Sequence, residues 1–102
     1  MKILVLLTPK PGKDRAAFEP LMVPEERVLW ASYRAGTLRE WYFQPEPLTV
    51  TLIYEAAGTA EVERELDALP MMEAGLLDRR VVVLGPWVPL EVIFDKSLMA
   101  SG

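Results

Sequence analysis

Histidine and cysteine are both missing from this sequence. Without His, the commonest general base near neutral pH is gone, along with the usual haem ligand and most catalytic zinc sites. Without Cys there is no disulfide, no thiol nucleophile and no zinc thiolate site, which fits a cytoplasmic protein. A metal would find only carboxylate and carbonyl oxygens, which favour hard cations, and no acidic cluster has the spacing of a calcium loop. We therefore expect neither a metal nor a cofactor. Basic runs are lacking too. The net charge of -4 argues against nucleic acid, whose binding rests on Lys and Arg neutralising phosphates. No apolar stretch approaches the ~20 residues of a membrane span. The run Ile3 to Leu7 falls short of the roughly 7–15 residues of a signal-peptide core, and Pro9 and Pro11 follow it. The expectation is a protein of the cytoplasm that binds neither membrane nor nucleic acid.

What is present suits one domain over residues 1–102. A hydrophobic fraction of 51% is high for a chain of 102 residues. A domain of this size buries only roughly 60–65% of its unfolded surface, so an apolar excess points to cover from a partner subunit. "KILVLLT" reads as a buried strand stopped by Pro9. A helix follows, interrupted near Pro20 and firm from Pro24. Glu25 and Glu26 suit its positive start, Arg34 its negative end, and Gly36 its left-handed cap. Val28, Ala31 and Ala35 fall on one side of it, with Leu29 and Tyr33 nearby. "GTAEVERELDALP" is a second helix, with Thr59 as candidate N-cap and Val62, Leu66 and Leu69 as its stripe. "MMEAGLLD" reads as a loop and "RRVVVLGPW" as a strand. Pro89 to Phe94 reads as a short fifth strand, and residues 91–102 as a short C-terminal strand and tail.

Between the helices, "LREWYFQ" and "LTVTLIYEA" flank "PEP" and form a hairpin. Facing Gln44 with Thr49 pairs Phe43 with Val50, Trp41 with Leu52 and Arg39 with Tyr54. The other face pairs Tyr42 with Thr51, Glu40 with Ile53 and Leu38 with Glu55. One face is then apolar and the other mixed, and a one-residue slip would scramble both. The element order is β-α-β-β-α-β, the ferredoxin-like α+β motif with two helices on one face of a four-stranded antiparallel sheet. Ile3 to Leu7 and Val81 to Leu84 are apolar on both faces, yet the helices cover only one. A second copy of the sheet would cover the other. That argues for a homodimer, or a larger assembly of dimers, through the face carrying Glu40, Tyr42, Thr51 and Ile53.

"RAGTLRE" after the first helix, "YEA" closing the third strand, and "LDALPMMEAGL" leading into "VVVLGP" resemble the muconolactone isomerase-like family of the dimeric α+β barrel superfamily. The resemblance implies a small organic ligand and proton transfer along a lactone ring without metal. It sets Arg39 at the Arg of the family's Gly-Thr-x pattern. Where that pattern continues with His, this chain has Glu40, so Glu40 stands in for it or the chemistry differs.

The candidate acids are Glu40 and Glu55, on one face of neighbouring strands, where burial in a barrel would raise a carboxyl and make it a base. Their structural alternative is a solvated charge or an intersubunit ion pair. Arg39 beside Tyr54 offers a planar fork to a ligand acid, or stacks on the ring as packing. Tyr33 and Trp41 complete a ligand-binding set of Tyr33, Arg39, Trp41 and Tyr54, placed between sheet and helices; core packing is their alternative. Three functions remain open: a cofactor-independent isomerase, a cofactor-free monooxygenase of a phenolic substrate, and a non-catalytic oligomeric ligand-binding module.

Overall fold

A computed structural model of the protein describes residues 1–94. The first strand, β1, is Lys2–Pro9. A single helical turn, α1, follows at Arg15–Phe18, capped by the Asp14 carboxylate, which accepts from Ala17 N–H. A 3-10 turn over Glu19–Leu21 leads into the long helix α2, Met22–Ala35. The helix thus begins two residues before the expected Pro24. Proline in a first turn lacks only an N–H that the helix leaves unbonded anyway. Gly36 ends α2 with φ of 88°, the left-handed cap expected of it.

Strands β2, Leu38–Pro45, and β3, Leu48–Glu55, form the hairpin. Helix α3, Thr59–Asp67, and the short helix α4, Pro70–Glu73, precede β4, Leu77–Leu84. Two local expectations change here. Thr59 is the first helical residue rather than the cap, and Glu61 reaches back to accept from Ala57 N–H at 3.0 Å. The stretch read as a loop contains α4 and the start of β4, because Pro70 ends one helix by opening another.

The sheet order is β2-β3-β1-β4, with all neighbours antiparallel. This is the ferredoxin-like α+β fold. Ile3, Val5 and Leu7 of β1 stand in one row with Leu52 and Tyr54 of β3. They meet Leu29 of α2, and Val62, Leu66 and Leu69 from the second helical segment. The opposite face carries Leu4, Leu6, Ile53 and Val82, each half-buried, with Tyr42 exposed beside them. The structure thus has the two-sided apolar sheet implied by the strand sequences, and the helices cover one side of it.

The hairpin register agrees from Glu40 to Gln44, which pair with Ile53 to Thr49 in order. It departs at Leu38, which pairs with Tyr54 and not with Glu55, because Arg39 is an extra residue bulged out of the ladder. The physical reason is burial. A regular ladder would aim a guanidinium under the helices, which is costly without a partner. The bulge puts Leu38 there, 1% exposed, and leaves Arg39 outside, where its Nε–H donates to Gly36 O.

The fifth strand does not form. Val88–Phe94 is a 3-10 segment with Pro89 inside it, and residues 95–102 of the expected tail lie outside the described residues. Among the described residues no helix is long and apolar enough to cross a membrane.

The bulge sets the energetic order of two neighbours. Leu38→Ala should cost about 2–5 kcal/mol in urea unfolding, whereas Arg39→Ala should cost less than about 1 kcal/mol. The reverse order would mean that the ladder runs through Arg39 without a bulge.

Candidate functional site

Helices α2 and α3 lie side by side over the sheet, and the small residues facing each other leave the space between them unfilled. Ala31 and Ala35 face the neighbouring helix where larger side chains would fill the gap. The result is an open groove of about 440 Å³, lined by Arg27, Val28, Ala31, Ser32 and Ala35 of α2 and by Glu65 of α3. Its size falls in the roughly 300–1,000 Å³ range of small-molecule sites.

Glu65 is the chemically unusual member. It sits three residues after Val62 and one before Leu66, both fully buried, so the α3 stripe carries its carboxylate inward. Its Oε1 accepts from Thr37 Oγ1–H at 3.1 Å and from Ser32 Oγ–H at 3.3 Å. The Thr37 hydroxyl also lies 3.3 Å from Ser32 O, and one hydrogen serves either acceptor. The other oxygen, Oε2, is buried with no hydrogen-bond partner among the described residues. An unmet carboxylate oxygen beside a groove is an acceptor waiting for a donor.

Tyr54 lies in the layer beneath, 1% exposed. Burial pushes its phenol well above the ordinary tyrosine range, and the Glu65 and Glu25 carboxylates push it further. It therefore stays protonated at neutral pH, where its hydroxyl can donate or accept a hydrogen bond but carries no charge. Glu25 is 4% exposed, and its Oε1 accepts from Met71 N–H at 2.9 Å. Burial raises its carboxyl, the Met71 bond opposes that, and Glu26 adds to it. Two inward carboxylates and a phenol thus share the space between sheet and helices. Neither Glu25 nor Glu65 was singled out from sequence as a site residue. The signal existed: Glu25 precedes buried Leu29 by one turn, and Glu65 shoulders the Val62–Leu66 stripe.

The expected set divides among three places. Tyr33 and Trp41 do come together, with ring centroids 4.5 Å apart, and Trp30 extends the stack at 5.7 Å from Tyr33. All three rings are partly open to solvent, so they make a shelf along the edge of the sheet rather than a closed wall. A smaller recess of about 150 Å³ opens beside it, between Glu26, Leu29, Trp41 and Val50. Tyr54 is interior. Arg39 is exposed, and the expected Arg39–Tyr54 pair is undone by the bulge; Arg39 instead lies in the field of Glu55.

Glu40 and Glu55 share the open face, as expected of their register. Glu40 is exposed and accepts from Tyr42 Oη–H at 2.7 Å, a bond that raises the Tyr42 phenol. Glu55 meets the Met1 amine at 2.9 Å, and that bond holds its carboxyl below the usual range. In the single chain Glu55 thus faces a cation, and its carboxyl is lowered, not raised. Among the described residues no three acidic side chains converge to hold a metal.

No family model matches the chain, and no curated protein matches it. Among solved structures it is similar to a 5-chloro-2-hydroxyhydroquinone dehydrochlorinase from Burkholderia phenoliruptrix AC1100, in complex with 2,5-dihydroxybenzoquinone. The TM-score is 0.69 at 17% identity, over 83% of this chain and 94% of that one. At that identity the likeness establishes a shared fold.

Glu25 sets a pH dependence with a definite sign. Its folded carboxyl is raised above the ordinary 4.5, so the folded state holds the proton more tightly than the unfolded state. Stability from this group is present below the ordinary value and is lost as pH rises through the raised one. Glu25→Gln keeps an acceptor for Met71 N–H and removes the titration. Relative to the parent, its melting temperature should gain steadily across that window. A parallel pair of melting curves at every pH would contradict the burial of Glu25.

Proposed function

We propose that this protein binds a small cyclic metabolite in the groove between α2 and α3 and moves a proton on it without a cofactor. The observation that carries this reading is Glu65, which lines the groove and whose Oε2 is buried without a hydrogen-bond partner among the described residues. Kinship with the muconolactone isomerase-like proteins, proposed from "GTLRE" and "LDALP", supplies the reaction type. In that chemistry Glu65 accepts a proton from a ring carbon. The released electron pair moves across the ring into the lactone carbonyl, and the same proton returns to a carbon further along. Bonds and charge balance, and no oxidant is needed. Ser32 and Thr37 would hold the carboxylate in place, and Arg27 at the rim suits an anionic substituent.

A second placement has its own support. Arg39, Glu40 and Glu55 lie on the open sheet face, where Arg39 and Glu55 share one field. We propose that this face packs on a second copy, since half-buried Leu4, Leu6, Ile53 and Val82 otherwise meet water. Enclosure there would bring Glu40 or Glu55 into a barrel interior as base and Arg39 as partner of a ligand acid.

Deuterium uptake separates the two placements. With a butenolide lactone as probe in D2O, the parent should exchange ring protons, read by proton NMR. Glu65→Gln should slow exchange at least about 100-fold and still bind the probe. If instead Glu40→Gln or Glu55→Gln abolishes exchange and Glu65→Gln does not, the site is the open face. Exchange by none of them, with binding intact, identifies a non-catalytic binding module. For the assembly, light scattering at micromolar concentration should give twice the chain mass or a multiple of it.

A further inference from the structure

The three-ring shelf has no part in the reaction proposed above, and it lies on the other flank of α2 from the groove. Arg27, Val28 and Ala31 line the groove, whereas Glu26 and Leu29 line the smaller recess, and Trp30 and Tyr33 stack with Trp41 of β2. Trp41 and Phe43 pair with Leu52 and Val50 of β3, which also line the recess, so both rings stand on the helix side of the sheet. A second copy on the open face would leave this side free. The three shelf rings are tilted by 17°, 22° and 23° from one another, so Trp41 is braced by its neighbours. Yet Trp30 is 52% exposed, Trp41 38% and Phe43 68%. Single apolar residues on a surface need no explanation, but aromatic rings gathered in one patch mark a binding site. Glu26 is the one charged side chain lining the recess. It is exposed and makes no ion pair among the described residues.

We propose that this recess is a second ligand site, which binds a small organic cation: a free solute carrying a quaternary or methylated ammonium group. Charge complementarity selects that class. The face of an aromatic ring is the negative end of its quadrupole, so Trp41 and Phe43 attract a cation. Glu26 acts in the same direction and supplies the counter-charge. An anion would meet repulsion from Glu26 and from a chain whose net charge is -4. A neutral ring could stack on the shelf, but it would strip water from Glu26 and give nothing back. A sugar needs several hydrogen-bonding side chains, and Glu26 and Tyr42 are the only polar residues in the lining. The methyl groups of an alkylated ammonium, by contrast, suit Leu29, Val50 and Leu52. Size agrees as well. The recess holds about 150 Å³, and at about 30 Å³ per water-sized atom that is roughly five heavy atoms, the number in a nitrogen with four carbons around it.

Choline and its neutral carbon isostere, 3,3-dimethylbutan-1-ol, differ in charge and hardly in shape, and they make the test. Binding to the full chain is read by calorimetry and by the indole N–H signals of nitrogen-15-labelled protein. Choline should move the Trp41 signal saturably, and the isostere should bind at least about tenfold more weakly. Equal binding of the two would overturn the cation assignment, as would a choline titration that does not saturate by about 10 mM. Glu26→Gln changes an exposed helical side chain and should fold as the parent does. It should weaken choline binding at least about fivefold, and Phe43→Leu at least about threefold. Either folded variant binding choline as tightly as the parent would overturn the recess as the site. Glu65→Gln should bind choline unchanged, and a loss there would place the cation in the groove instead. Sedimentation with phosphatidylcholine vesicles, without binding of free choline, would overturn the free solute in favour of a lipid headgroup.

Discussion

A sheet that is apolar on both faces, with helices over only one of them, is the constraint on which this protein is built. Ile3, Val5 and Leu7 reach into the layer beneath α2 and α3, while Leu4 and Leu6 point the other way and are half-covered by their strand neighbours alone. The first row supplies the buried core. The second is left half-buried, with no helix of the described residues over it. The segment after β4 adds further exposed apolar surface, from Trp87 to Phe94.

The covered side has a different economy. Its helices are held on the sheet by Leu29, Val62, Leu66 and Leu69, yet the small residues between them leave a groove. Into this apolar layer the chain brings two carboxylates and a phenol. Glu25 has its Met71 N–H, and one oxygen of Glu65 has two hydroxyl donors. The second oxygen of Glu65 is left over. Buried polar atoms without partners are uncommon because each forgoes its bonds to water. Such an atom on a residue that lines a groove is a stronger pointer to ligand chemistry than the exposed carboxylates of the open face.

The bulge at Arg39 shows how a single local choice redistributes function. It delivers Leu38 to the core and Arg39 to the outside, and so separates the guanidinium from Tyr54. A site that looked continuous along the strand therefore divides in three: a buried Tyr54, an edge shelf and a charged patch on the open face.

The periodicities that set each element were legible in the residues themselves. Alternation in Glu40 to Gln44 and Thr49 to Ile53 pinned the hairpin register, because one slip would turn its apolar side outward. Val62 and Leu66 defined α3 and its buried face, while Leu69, also buried, lies just beyond its end. Gly36 marked the end of α2, since an αL cap suits a residue without Cβ. Together these determined the β-α-β-β-α-β order and hence the ferredoxin-like fold. Tertiary structure decided the rest. Whether Leu38 or Arg39 enters the core depends on what lies above them, which no strand pattern contains. Glu65 becomes a half-buried acceptor only when α3 meets Ser32 of α2 and Thr37 before β2, residues separated by 33 and 28 positions. The apolar run after Gly85 resembles a strand in composition, but a strand needs a neighbouring ladder to pair with, and whether one is available is settled by the three-dimensional arrangement of the sheet.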